Sequence, residues 1–258
     1  MDLRGKVAIV TGAVGTLGRG ISKQLALESM HVVLADLARD HVNRFADEIK
    51  ASGGSALGIE VNVASRESTK RMAQKVIETF GQIDVLVNNA GVIVVAPVTD
   101  LKEEDWDKVI DVNLKGTFLC TQAVVPHMIQ KKSGRIINIS SVAAKRAGPL
   151  QSAYAASKHG IIGLTQVWCQ ELGSHNITVN AVCPGFIESA MWKEQLSPAY
   201  APAFGCDPSE LVQTIAKALM PLQRPQTPED IGQAVVFLCK ADNVSGEALT
   251  VDGGHAMW

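Results

Sequence analysis

Short runs of β-branched and other apolar residues alternate with helical patterns from one end of the 258-residue sequence to the other. That rhythm marks βαβ units, in which each helix crosses over and lays the next strand parallel to the last. Strands are expected at residues 7–11, 31–35, 56–60, 85–88, 135–140, 178–182 and 248–251, enough for one sheet of seven. Val7-Ala8-Ile9-Val10 and Ile136-Ile137-Asn138-Ile139 are nearly continuous in apolar residues rather than alternating. Strands read that way when helices cover both faces of a sheet. The expected fold class is therefore α/β, a doubly wound parallel sheet, and the length fits a single domain over residues 1–258.

The rhythm breaks over residues 188–228, where Pro198, Pro202, Pro208, Pro221, Pro225 and Pro228 punctuate short helical pieces. Ligands of parallel sheets sit beyond the carboxyl ends of the strands, so this stretch is expected to form a helical lid over a substrate.

Composition narrows the partners. A net charge of -2, from 24 basic and 26 acidic residues, supplies no field for gripping a phosphate backbone, so nucleic acid is not expected as a partner. No stretch reaches about 18 apolar residues and no export signal is read at the start, which makes a cytoplasmic protein without membrane insertion the expectation. Cys120, Cys169, Cys183, Cys206 and Cys239 are widely spaced with no CxxC and read as buried free thiols of a reducing compartment. His127, His159, His175 and His255 have no carboxylate or second histidine at ligand spacing, so no metal is expected.

The first strand empties into Thr11-Gly12-Ala13-Val14-Gly15-Thr16-Leu17-Gly18, followed by a helical pattern over residues 17–30. Glycines at such a turn let backbone approach a pyrophosphate, and the helix offers unpaired N–H groups and the positive end of its dipole. Asp36 ends the second strand 24 positions after Gly12, where a carboxylate can hold both ribose hydroxyls and repel a 2′-phosphate. Leu37 beside it is not basic, so NAD is expected over NADP, with Arg39 the nearby cation that could serve a phosphate.

Tyr154 and Lys158 fall on one face of a helix expected over residues 153–172. A phenol is a poor base at neutral pH, and an adjacent ammonium should favour its anion, making the pair a proton carrier. The preceding strand ends Asn138-Ile139-Ser140-Ser141, which sets two hydroxyls at the edge where ligands bind, either able to hold a substrate oxygen. Asn113 lies inside a helical pattern that disfavours asparagine, so a packing or water-holding task is expected of it.

Taken together these segments resemble the short-chain dehydrogenase/reductase family over essentially the whole chain. Tyr154-Ala155-Ala156-Ser157-Lys158 is similar to its YxxxK motif, Asn88-Asn89-Ala90-Gly91 to its NNAG motif, and Pro184-Gly185 to its PG motif. The resemblance implies a Rossmann-type fold that moves a hydride between nicotinamide and an alcohol or ketone. It also implies Asn113, Ser141, Tyr154 and Lys158 as the catalytic set. Ser141 would hold the substrate oxygen, Lys158 would lower the Tyr154 pKa and bind the nicotinamide ribose, and Asn113 would hold a water linking Lys158 to solvent. Cofactor contacts are implied for Gly12, Gly15, Thr16, Leu17, Gly18, Asp36, Asn62, Val63, Asn89, Ala90 and Gly91. Tyr154, Lys158, Pro184, Gly185, Ile187 and Ser189 are implied around the nicotinamide. Gly246 and Val251-Asp252-Gly253-Gly254 resemble the region that helps build a homotetramer in the family.

Two positions depart from the pattern. The family has glycine where Thr16 stands, so either the turn is tamer here or Gly15 absorbs the bend. Asn62 replaces a common aspartate beside the adenine, and it can still both accept and donate. Met191 and Trp192 are expected against the substrate, with Trp192 either a wall of the cavity or an anchor of the lid. That pair, the lid and the Gly253-Gly254-x-x-Met257 ending resemble members acting on sugar alcohols and vicinal diols, which makes a polyol or diol the expected small-molecule substrate. A 3-oxoacyl thioester reductase is the alternative, and a non-catalytic dinucleotide-sensing scaffold is the alternative of another class.

Overall fold

Every residue of β1 (Val7–Thr11) is buried, and the strand divides its side chains between two cores. Ala8 and Val10 join Ile21, Leu25, Leu34 and Val235 on one side, while Val7 and Ile9 join Met72, Leu86, Val124 and Trp168 on the other. A strand of period two does this only where both faces are covered. The computed structural model in which this is seen describes residues 1–256. Met257, part of the ending singled out above, lies outside the described residues.

The remaining strands are β2 (His31–Asp36), β3 (Ser55–Glu60), β4 (Val85–Asn88), β5 (Gly134–Ile139), β6 (Ile177–Pro184) and β7 (Ala248–Val251). All seven expected strands are present, and they pair in parallel in the order β3-β2-β1-β4-β5-β6-β7. The order reverses between β1 and β4, and that reversal opens a crevice at the carboxyl ends. One core packs under α1 (Thr16–Leu27), α2 (Arg39–Ala51) and a later helix, Pro228–Lys240; the other packs under α3 (Arg66–Phe80), α5 (Gly116–Lys131) and α6 (Ser152–Leu172). Helix α4 (Glu103–Ile110) runs into α5 through a π-helical turn, Asp111–Lys115. Helix α1 stops at Leu27, short of the expected residue 30, because Ser29 turns into the left-handed region (φ 60°) and Met30 N–H folds back onto Leu25 O.

A buried ladder of side chains crosses the sheet. Asn88 Nδ2 donates to Thr121 Oγ1 (3.0 Å) and to Asn138 Oδ1 (2.9 Å), and Asn138 Nδ2 donates to Thr165 Oγ1 (2.9 Å). One chain of bonds thus ties α5, β4, β5 and α6 together.

Between β6 and the last helix lie a π-helical turn at Trp192–Leu196, α7 (Ser197–Phe204) and α8 (Leu211–Leu219), with a small core of Ala201, Leu211 and Ile215. The last proline of the expected lid, residues 188–228, also begins the next helix. Pro228 opens α9 (Pro228–Lys240), where a missing N–H costs nothing, and Thr227 and Asp230 close a reciprocal capping box in front of it.

Helices α1 and α9 cross at two glycines. A Cβ on Gly20 would lie 2.4 Å from Pro228 Cβ and 2.6 Å from its backbone carbonyl, an obstacle that cannot swing aside. Gly20→Ala is therefore expected to cost about 1–3 kcal/mol and several degrees of Tm, despite alanine's better helix propensity. Gly173→Ala is the control, since its backbone is helical and nothing lies within 4 Å of the added carbon. Equal melting temperatures for the two variants would contradict the packing argument.

Candidate active site

The β1–α1 turn is held by the segment that follows β4. Asn89 Nδ2 donates to Thr11 O (2.9 Å) and Gly12 O (3.0 Å), and Thr11 Oγ1 accepts from Asn89 N (3.0 Å) and Ala90 N (3.1 Å). The bend falls at Gly12, whose φ is 63° and where a Cβ would come within 2.8 Å of Ala90 Cα. Gly15 is extended at φ -68° and Thr16 simply starts the helix. The turn is therefore the tamer of the two expected possibilities: Thr16 carries no strain and Gly15 absorbs no bend. Gly18 is required for a different reason, since a side chain there would meet Gly12 O at 2.2 Å.

Helix α1 has no side-chain cap and no acid in its first turn, so its orphan N–H groups and dipole are left for a ligand. They face a cavity of about 500 Å³ lined by Gly12, Gly15, Thr16, Leu17, Gly18, Asp36, Asn62, Val63, Asn89, Ala90 and Gly91. Space is open in front of Gly15, where an added Cβ would meet nothing nearer than Gly12 O at 3.5 Å. These features fit a dinucleotide. Asp36 Oδ2 accepts from Val14 N (3.2 Å), which fixes the carboxylate at the rim beside the exposed Leu37. Asn62 Oδ1 already accepts from Ala64 N (3.0 Å), so the accepting half of that side chain is engaged.

A second cavity, of about 400 Å³, adjoins the first; Leu17, Ser189 and Met191 line both. Tyr154, Pro184, Gly185 and Ile187, expected at the cofactor, line this second cavity, as do Ser141 and Trp192; Lys158 lies behind it, nearly fully buried. The two serines differ in their bonding. Ser140 Oγ donates to Lys158 O (2.9 Å) and is spent, whereas Ser141 Oγ accepts from Ala143 N (3.1 Å) and keeps its own proton to donate.

Lys158 Nζ donates to Ile139 O (2.9 Å) and stands 5.5 Å from the Tyr154 ring centroid. Gly91 lies beside it, and a Cβ there would make only an ordinary contact with that nitrogen at 3.5 Å. Asn113 sits on the π-helical turn with three side-chain hydrogen bonds. Oδ1 accepts from Val92 N (2.8 Å), and Nδ2 donates to Val92 O (2.9 Å) and Ser157 Oγ (3.0 Å). These bonds give the amide a packing task, joining the Val92 segment to Ser157.

The electrostatics correct one expectation. Desolvation by burial pushes the Tyr154 phenol above its ordinary value, opposed by the Ser141 hydroxyl, and burial lowers Lys158 from about 10.5 to about 8. The ammonium lies over the ring and bonds a backbone carbonyl, and the net shift of the phenol, set mainly by burial, is upward rather than downward as expected. Burial likewise raises the neighbouring Cys183 thiol, which stays neutral.

Trp192 meets both descriptions offered for it: it packs on the small core of the helical segment and lines the cavity, edge-on to Phe186 at 5.3 Å. Sequence reasoning missed Phe186, Arg146, Gln151, Tyr200 and His255 as cavity walls. His255, read as a surface or packing residue, contacts Phe186 at 4.9 Å because Asp252 accepts from Gly254 N (2.9 Å) and Ala256 N (2.6 Å) and curls the segment inward. All five cysteines are free, but Cys169 and Cys206 are half-buried rather than buried, Cys206 because it belongs to the small core of the helical segment. Among the described residues no group of three or more His, Cys, Asp or Glu could hold a metal, and no helix is long and apolar enough to cross a membrane.

Because Lys158 titrates at about 8 when folded, between about pH 8 and 10 the unfolded chain holds a proton that the folded one has released. Stability linked to this group therefore rises with pH through that window and is lowest below it. Tyr154, shifted upward, acts in the opposite sense only above its ordinary value near 10. Relative to Lys158→Met, the wild type should gain on the order of 1–2 kcal/mol in urea-unfolding free energy from about pH 7.5 to about pH 9.5. Parallel curves for the two proteins would contradict the buried, depressed lysine.

Comparison with known proteins agrees with this geometry. Residues 6–199 match the family model described as short chain dehydrogenase. The chain is 40% identical over 256 residues to 3-oxoacyl-(acyl-carrier-protein) reductase FabG of Thermotoga maritima, covering 98% of this chain and 99% of the relative. It is 36% identical over 260 residues to (2S)-((R)-hydroxy(phenyl)methyl)succinyl-CoA dehydrogenase subunit BbsD of Thauera aromatica, covering 100% of this chain and 99% of that one. A crystal structure of actinorhodin polyketide ketoreductase with NADPH superposes with a TM-score of 0.93 at 32% identity, over 98% of both chains. The family binds a nicotinamide dinucleotide and acts on hydroxyl and keto carbons, and this chain, in sequence and in fold, belongs to the short-chain dehydrogenase/reductase family.

Proposed function

We propose that the chain interconverts 3-oxoacyl and 3-hydroxyacyl thioesters with NAD(H). The observation that carries this reading is the character of the second cavity. Away from Ser141 and Tyr154 its walls are dominated by side chains such as Phe186, Met191, Trp192, Phe204, Ile215 and Leu219. A sugar alcohol would bring several hydroxyls against such walls and lose their water without replacement, at roughly 1–3 kcal/mol each. An acyl chain suits them. The relatives from Thermotoga maritima and Thauera aromatica, named as a 3-oxoacyl-(acyl-carrier-protein) reductase and a succinyl-CoA-type dehydrogenase subunit, support the same choice. The sugar-alcohol and diol reading is set aside on these grounds. Asp36, held at the rim with Leu37 beside it, supports NAD(H), although the polyketide ketoreductase structure contains NADPH.

In this reading residues 188–228 act as the lid and the expected homotetramer is retained. A bound nicotinamide would supply or accept the hydride. Ser141 donates a hydrogen bond to the substrate carbonyl oxygen, and Tyr154 gives that oxygen its proton during reduction. A phenol raised by burial is fully protonated at neutral pH, which suits it to donate. Lys158 stabilises the phenolate left behind. Asn113 keeps the Gly91–Val92 segment and α6 in register, so the lysine stays beside the tyrosine.

The test is a panel of short 3-oxoacyl thioesters, sorbitol and butanediols, each assayed with both cofactors in the appropriate redox state by nicotinamide absorbance. The best thioester with NADH is expected to exceed every polyol, and the same thioester with NADPH, by at least about tenfold in kcat/KM, about 1.4 kcal/mol. A polyol or diol with the highest kcat/KM would overturn the substrate assignment, and preference for NADPH the cofactor assignment.

A further inference from the structure

The walls of the reaction cavity are unbalanced in charge. Arg146 is the permanently charged side chain among them, and no Asp or Glu lines the space. The Arg146 side chain is exposed at the cavity and has no ion-pair or hydrogen-bond partner among the described residues. An arginine committed to holding the fold would be expected to show one.

The loop that carries it is fixed at both ends. Before it, Lys145 Nζ donates to Ala248 O and to Thr250 Oγ1, both at 2.8 Å, and Arg146 N donates to Val142 O (2.7 Å). After it, Leu150 holds a left-handed backbone (φ 64°), a conformation that costs a branched residue energy and persists because Ala96 N grips Leu150 O at 3.0 Å. Gln151 Nε2 donates to the Tyr200 hydroxyl (3.0 Å), which in turn donates to Pro149 O, so the helical segment closes against the same loop. Lys145 has its ammonium bonded to β7, and its neighbour is left open toward the cavity.

We propose that Arg146 anchors an oxyanion on the substrate, from the wall of the same cavity that Ser141 and Tyr154 line. The inference rests on the thioester reading and deepens it, because it makes the substrate an anion. A guanidinium can hold a carboxylate or a phosphate through two parallel hydrogen bonds, and both groups present that geometry. The oxyanion is either a phosphate of the thioester carrier or a carboxylate on the acyl chain.

Four substrates separate these sources: a 3-oxoacyl-CoA, the same acyl group on uncharged pantetheine, a pantetheine thioester whose acyl chain ends in a carboxylate, and the matching methyl ester. Each is assayed with NADH on wild type, Arg146→Gln, Arg146→Glu and Arg146→Lys. A free 3-oxo acid and its ethyl ester are added, and calorimetry on the NADH-saturated protein compares CoA with pantetheine. In Arg146→Gln the preference for the charged over the uncharged member of one pair is expected to fall about tenfold, carried by KM. Arg146→Glu should lower it further and Arg146→Lys should restore part of it. Loss confined to the CoA pair assigns the phosphate, and loss in the carboxylate pair assigns the acyl chain. Unchanged preferences in every pair, with CoA binding unaltered by the substitutions, would overturn the anchor. Should the wild type turn over none of the thioesters, the thioester reading fails, while the acid and ester pair and the calorimetry still decide whether Arg146 holds an anion.

Discussion

The side-chain ladder from Thr121 through Asn88 and Asn138 to Thr165 is the interaction on which the site depends. A parallel sheet between two apolar cores gives its covering helices little reason to choose one height over another, since dispersion is not directional. Four buried polar groups are different: each must find its partner, and a slip of one position leaves several unpaired in a low-dielectric interior. The ladder therefore fixes α6 against β5. Tyr154 and Lys158 on that helix, and Ser141 just past that strand, inherit the registration. Asn113 repeats the device from the other side, joining the π-helical turn, the Gly91–Val92 segment and Ser157.

With geometry supplied in this way, burial sets the chemistry. The site holds the phenol protonated and depresses the lysine to about 8 instead of pairing either with a carboxylate. A buried charge without a counterion is costly, and here that cost is what places the lysine within reach of neutral pH. Ser140 and Ser141 show how finely bonding divides adjacent residues of one type. The first is consumed by Lys158 O, and the second, turned outward at the end of β5, retains a proton for a ligand.

Most of the architecture was legible because it follows from local rules. Val7 to Val10 and Ile136 to Ile139 announce a sheet covered on both faces, and the glycines after β1 announce the turn. That Tyr154 and Lys158 share one helix face was legible from spacing, while their expected chemistry rested on the family resemblance. Three kinds of information were not legible. The bend at Gly12 rather than at 15 or 16 depends on Asn89 gripping the turn from a distant strand. The direction of the Tyr154 shift depends on desolvation, which spacing does not report. The cavity walls depend on long-range packing: Phe186, Arg146 and His255 come from three separated segments, which no local pattern around Met191 and Trp192 reports. Pro228, which closes the expected lid, stands at the first turn of a helix, where its missing N–H is not needed.

An account in which a buried phenol moves the proton, while the surrounding cavity only selects and covers the substrate, is tested most directly at Tyr154. Tyr154→Phe keeps the ring and its packing and removes the proton. Single-turnover reduction with saturating NADH should slow by about 10²–10⁴-fold, while NADH affinity stays within about twofold of wild type because the ring still fills its place. A variant that keeps more than about a tenth of the wild-type rate, with the same NADH affinity, would show that the proton comes from elsewhere and would contradict the account.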